Sequence, residues 1–281
     1  RSLGASFMQI GGGEPMMEPV ALGGVLKAAA DAGVTIDYVE TNSSWYQSQE
    51  QACELLLNLN QKGRRTLLIS ISPFHVEYIP LSRVNGVMDA CRSVGIMVFP
   101  WMETFVKDLM RLDTKRKQRF ENLLETFGES YLSDIKARYW IHMGGRALDL
   151  FRPLYEPLSC DEILDKADAG CASELSDTSH FHMDLNGGFV PGLCAGLGIA
   201  VKDLGSPLEP DDYPVITRLA TEGIRGLFDL AAATCGFSGA GKRYISKCDL
   251  CNEIRHFLFS KDRYLNELTP AGYYKENDQY E

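Results

Sequence analysis

The sequence predicts an α/β fold built on a parallel sheet, and three observations carry that expectation. Short apolar runs alternate with amphipathic stretches of about three helical turns, the pattern of successive βα units. The runs end in polar residues, Glu14, Asn42, Ser72 and His75 among them, which would gather on one rim at the C-terminal edge of the sheet. Five such runs are visible, at 5–10, 35–40, 66–71, 96–100 and 138–143, too few to close a barrel.

The first run, Ala5-Ser6-Phe7-Met8-Gln9-Ile10, stops at Gly11-Gly12-Gly13 and is followed by Glu14 and Pro15. Glycines let the backbone come within contact distance of a ligand that a Cβ would exclude. Glu14 then sets a carboxylate at the strand's end, where it suits a ligand ammonium. A helix over 18–32 follows, with Val20, Leu22, Val25, Leu26 and Ala29 as its apolar face and Gly33 as its stop. The next strand ends in Glu40-Thr41-Asn42, and a capping box at Ser48 and Gln51 opens another helix. The strand through Ser70 and Ser72 leads to Pro73-Phe74-His75, and a helix over 82–94 closes at Gly95 before the strand at 96–101. Residues 103–136 read as charged helix broken at Gly128, and 138–143 as a further strand delivering Gly144-Gly145-Arg146 to the rim.

Near residue 160 the pattern changes. Residues 178–185 alternate, with His180, His182 and Asp184 on one face, and Asn186-Gly187 is a hairpin signal. Those three side chains could chelate zinc, yet the polar outer face of a hairpin accounts for them as well. A long helix is expected over 213–234, and Lys247-Cys248-Asp249-Leu250-Cys251 opens another.

Composition excludes several classes. Of 281 residues, 45% are hydrophobic and 23% charged, as in ordinary globular proteins. A net charge of −10 argues against nucleic-acid binding. No apolar run is long enough to span a membrane and no signal peptide is visible, so a cytoplasmic protein is expected. The eight cysteines then read as reduced thiols or metal ligands. Cys248-x-x-Cys251 fits two thiolates on one ion or cluster, because a two-residue gap lets both sulfurs turn inward. Cys171 and Cys194 flank the hairpin and would complete a four-thiolate set. Zinc, an iron–sulfur cluster and a redox CxxC are the competing readings. Cys53, Cys91, Cys160 and Cys235 read as packing residues.

The strand, then Gly12-Gly13-Glu14-Pro15, then a helix, resembles the GGEP motif of the radical SAM superfamily. The cysteine–hairpin–cysteine pattern with its distant CxxC is similar to the SPASM or twitch extension of those enzymes. The resemblance implies a partial (β/α) parallel barrel over 1–155 that lacks its first βα unit, and a small α+β extension over 156–281. It further implies that Gly12, Gly13, Glu14 and Pro15 hold the methionyl end of S-adenosylmethionine, with Thr41, Asn42, Ser70 and Ser72 also at the cofactor. Cys171, Cys194, Cys248 and Cys251 would ligate an auxiliary 4Fe-4S cluster, with zinc as the alternative. The implied activity is generation of a 5′-deoxyadenosyl radical for hydrogen abstraction from a substrate, a peptide or protein in many relatives, with a reducing electron donor as partner.

The family's CxxxCxxC loop is absent from these residues. Because the chain opens at Arg1-Ser2-Leu3 and reaches a core strand at once, that loop is expected upstream, and this chain by itself is expected to be inactive. The alternative reading is a non-catalytic, metal-stabilised binding protein derived from a degenerate barrel.

Overall fold

Four parallel strands, in the order β1-β2-β3-β4, form the sheet of the N-terminal unit in the computed structural model. They are β1 (Phe7–Ile10), β2 (Thr35–Thr41), β3 (Thr66–Ser70) and β4 (Met97–Trp101). The first three lead into α1 (Pro19–Asp31), α2 (Gln49–Gln61) and α3 (Leu81–Val94). The structure describes residues 7–61, 66–167, 170–178, 181–184 and 187–275. Two compact units divide the chain, the first ending at Trp140 and the second opening at Ile141, where the sequence placed a boundary at 155–156.

The βα units form for local reasons. Pro19 opens α1 at a position whose N–H has no helical partner anyway. Ser48 Oγ accepts from Gln51 N at 3.2 Å, which caps α2 as its sequence predicts. Gly95 ends α3 in the left-handed region, at φ 73°. On β3 the residues Leu67, Leu68 and Ile69 are all buried, as a middle strand of a parallel sheet requires. Cys91 is buried in α3, a packing thiol as expected.

Beyond β4 the chain forms α4 (Val106–Leu109), α5 (Phe120–Phe127) and α6 (Tyr131–Arg138), with Gly128 ending α5. The fifth strand expected at 138–143 does not form. Arg138 closes α6, whose Tyr131, Leu132 and Ile135 are buried at helical spacing, and the segment after it has no regular structure. None of residues 138–143 is buried, whereas a strand added to a parallel sheet would be covered on both faces.

The C-terminal unit is mostly helical: α7 (Arg146–Phe151), α8 (Cys160–Lys166), α9 (Ala172–Leu175), α10 (Pro214–Cys235), α11 (Lys247–Ser260) and α12 (Ala271–Lys275). Its strands are short: β5 (Leu158–Ser159), β6 (His182–Met183), β7 (Gly188–Val190), β8 (Ile199–Ala200) and β9 (Arg243–Tyr244). The expected hairpin is present, β6 pairing antiparallel with β7 and β7 with β8. Its turn residue Asn186, and His180, lie outside the described residues. Asp184 Oδ1 accepts from Gly188 N at 2.6 Å, so that carboxylate serves the turn. Helices α10 and α11 pack together over a core that includes Leu219, Ile224, Leu227, Leu250, Ile254 and Leu258. Among the described residues, no helix is long and apolar enough to cross a membrane.

Candidate functional site

In the N-terminal unit the strand ends meet around Glu14. Its carboxylate accepts from Thr41 Oγ1 at 3.0 Å on both oxygens, from Asn42 N at 2.7 Å and from Met16 N at 3.0 Å. Parallel pairing of β1 with β2 brings these groups to one edge. Gly12 and Gly13 both have positive φ, at 80° and 56°, and are exposed. Pro15 begins the short helical turn that Glu14 caps. Thr41 is buried and also accepts from Trp45 Nε1 at 2.8 Å. Asn42 Oδ1 accepts from Ser44 N at 2.8 Å. Thr41 and Asn42 therefore position the carboxylate. Burial raises the Glu14 pKa against the opposing pull of the Met16, Asn42 and Thr41 donors. The anion is thus incompletely compensated, and a ligand ammonium would relieve it.

Glu40, which the sequence did not single out, is a second carboxylate on this rim. It accepts from Ser70 Oγ at 3.0 Å, joining β2 to β3. It also lies against Gly11, where a Cβ would come within 2.9 Å of Glu40 Oε2. The period-two alternation of β2 was the available signal, since it sets Glu40 opposite in facing to the buried Val39 and Thr41.

Ser72 is not drawn into this group. It is fully buried, and its oxygen accepts from Phe74 N and His75 N at 3.2 and 3.3 Å. Its hydroxyl hydrogen is left for His75 Nδ1, 2.7 Å away. Burial lowers the His75 pKa to about 4. The imidazole should therefore show no titration by NMR between pH 5 and 8. Because an unfolded histidine takes its proton near pH 6.5, stability of this unit should fall as pH drops from about 6.5 to about 4, by at most ~3 kcal/mol. A His75 titration midpoint near 6.5 would contradict this.

In the C-terminal unit the four cysteines chosen from sequence as one ligand set line a single cavity of about 170 Å³. Cys248 and Cys251 come from the first turns of α11. Ser246 caps that helix by accepting from Asp249 N at 3.2 Å. Asp249, itself buried, accepts two hydrogen bonds from Arg152, at 2.9 and 3.0 Å, and one from Ile245 N at 3.0 Å, which fixes where the helix starts. Cys171 is held through its backbone, its N–H donating to Leu219 O at 2.7 Å. Leu219 O is the acceptor an unbroken helix would use for residue 223, and Gly223 is where α10 kinks, at φ 66° and ψ −149°. Gly170 beside it must be glycine, since a Cβ would stand 2.5 Å from Ala220 O. Cys194 lies in the loop after the hairpin.

All eight cysteines are free thiols. Burial pushes the Cys194 thiol up to about 12 and, although that residue as a whole is exposed, the Cys248 thiol up to about 11, with the neighbouring thiols adding to both. Cys171 is raised for the same reasons. Each of these thiols feels others of the set, so they share one electrostatic environment. Among the described residues, no group of three or more His, Cys, Asp and Glu side chains is gathered tightly enough to hold a metal ion. The donor chemistry is that of a thiolate-bound centre, but the four thiols are not gathered tightly enough to hold one metal ion.

Fold and site together define a mixed α/β protein, with a four-stranded parallel sheet and carboxylate rim in one unit and a four-thiol cavity in the other. No protein-family model, no curated protein and no solved structure matches the chain.

Proposed function

We propose that this chain is part of a radical SAM enzyme, with S-adenosylmethionine bound at the Glu14 rim and an auxiliary 4Fe-4S cluster held by Cys171, Cys194, Cys248 and Cys251. The thiol cavity carries the reading. Thiols from three segments distant in sequence line one pocket of about 170 Å³, a convergence that packing alone does not require. A zinc ion would need the sulfurs drawn in around Zn–S bonds of about 2.3 Å. In a cluster each thiolate takes a different iron, so a cluster asks for the four sulfurs to be less tightly gathered than a single zinc ion does.

At the rim, Glu14 would accept from the methionyl ammonium, and Gly12 and Gly13 would leave room beside it. Thr41 and Asn42 would keep Glu14 in place, and Ser70 would do the same for Glu40. The chemistry that such a bound cofactor would supply is radical abstraction of hydrogen from a substrate, which would be of the peptide or protein class. On this reading the ligands of the radical-generating cluster, a CxxxCxxC loop, are not among residues 1–281.

Anaerobic reconstitution with iron and sulfide, followed by metal analysis and absorption spectra, tests the cluster. One dithionite-bleachable cluster per chain is expected. Tight zinc uptake without iron would favour a metal-supported binding protein instead, and uptake of neither would end the metal reading. The rim is tested separately by calorimetry with S-adenosylmethionine. Glu14→Gln should weaken binding about 10- to 100-fold, because a hydrogen bond to a charged group contributes ~1.5–3 kcal/mol. Equal affinity in the variant would remove Glu14 from the site.

A further inference from the structure

Arg255 lines the same cavity as the four cysteines. It is 6% exposed, and no carboxylate among the described residues pairs with it. Its Nη1 donates to two neutral acceptors, Ala195 O at 2.7 Å and Tyr274 Oη at 3.3 Å. Its Nε is buried and has no hydrogen-bond partner. Burying a guanidinium without a counter-charge is strongly unfavourable, and an unmet N–H adds to the penalty. The thiols of Cys251 and Cys194 line the same cavity and are close enough for the Arg255 charge to act on them. A second cation, Lys247, also lines the cavity and acts on Cys171 and Cys248. Lys247 pairs with Glu174 at 3.0 Å and is partly exposed, so its charge counts for less.

We propose that the cavity is built for an anionic tetrathiolate centre whose charge is met by these two residues, Arg255 beside Cys194 and Cys251, and Lys247 beside Cys171 and Cys248. Four thiolates on the doubly positive core of an oxidised 4Fe-4S cluster would leave a net charge of roughly −2. Two cations on the wall would answer that charge, and the buried, unpartnered Arg255 Nε–H would be available to donate to a thiolate of the set. The helix supplies the geometry: Cys248, Cys251 and Arg255 fall at i, i+3 and i+7 of α11, on one stripe. This assignment rests on the auxiliary-centre reading and adds to it the residues that set the centre's charge and potential.

The test loads wild type, Arg255→Gln, Arg255→Lys and Lys247→Gln with iron and sulfide anaerobically, then follows release of iron to excess chelator. Arg255→Gln should release iron about 10- to 100-fold faster than wild type, the usual effect of removing an outer partner of a metal ligand. Its reduction potential should shift to more negative values. Arg255→Lys, which keeps the charge and loses the Nε–H donor, should fall between wild type and Arg255→Gln, and Lys247→Gln should show a smaller acceleration. Circular dichroism of the metal-free proteins establishes that the variants fold. Release from Arg255→Gln at the wild-type rate, with unchanged potential, overturns the proposal. Where that variant fails to fold, Lys247→Gln decides, and release at the wild-type rate again overturns it. A wild type that takes up no metal would end the auxiliary-centre reading itself, a result visible before any variant is compared.

Discussion

Replacing Cys248 or Cys251 with serine is expected to lower iron retained after reconstitution by at least about tenfold, with loss of the charge-transfer absorption. The physical reason is the ligand atom. A serine oxygen stays protonated at neutral pH and is a poor match for an iron–sulfur core, which is held by thiolates. Neither substitution should unfold the unit, because Cys248 is exposed and Cys251 only half-buried, while α11 keeps its Ser246 cap and its Asp249 anchor. Cys171→Ser and Cys194→Ser should behave alike. Cys53→Ser and Cys235→Ser are the controls, since neither lines the cavity, and both should load iron as wild type does. Full iron content and an unchanged spectrum in Cys248→Ser would remove it from the ligand set.

The largest stability effect should come from Glu267. This carboxylate is completely buried and accepts from Val215 N at 3.1 Å and Ile216 N at 2.8 Å. Those are among the donors at the start of α10 that no helical carbonyl can reach, so a residue far along the chain acts as the helix cap. Glu267→Ala would leave two buried N–H groups unmet, at about 1–3 kcal/mol each. Denaturant unfolding should show a loss of roughly 2–5 kcal/mol for the C-terminal unit. Burial pushes the Glu267 pKa up to about 7, more than the Ile216 and Val215 donors pull it down. The folded state therefore holds this proton more tightly than the unfolded state does. The stability contribution is full below about pH 4.5 and is lost as pH rises toward about 7. That slope should vanish in Glu267→Ala. Its persistence would assign the slope to another group.

The parts of the molecule that depend on local pattern were legible in the sequence. Four βα units follow from short apolar runs, a proline start, a serine cap and glycine stops, each a short-range signal. The set Cys171, Cys194, Cys248 and Cys251 was legible because a hairpin turn brings the first two near each other and helical spacing aligns the last two. The stretch 138–143 misled because its aromatic and apolar content resembles a strand, whereas the buried positions Tyr131, Leu132 and Ile135 had already committed the chain to a helix through Arg138. Ser72 looked like a rim residue because polar strand ends look alike, and its use inside a turn depends on backbone geometry. Glu267 could not be found from sequence, since capping α10 from 51 residues away is a tertiary event. Arg255 could have been found, because it stands one turn beyond Cys251 on the same stripe.

Strand β4 has a strand neighbour on one side only among the described residues. Its outer backbone groups are thus a template on which another strand can lie. Beside them Met97, Phe99 and Trp101 are 65%, 39% and 39% exposed, forming an apolar strip at the sheet's open margin. Pro100 blunts this margin by lacking an N–H, which confines continuous pairing to the stretch before it. A strand added at this edge would therefore pair along Met97 to Phe99 and bring its own side chains against that strip.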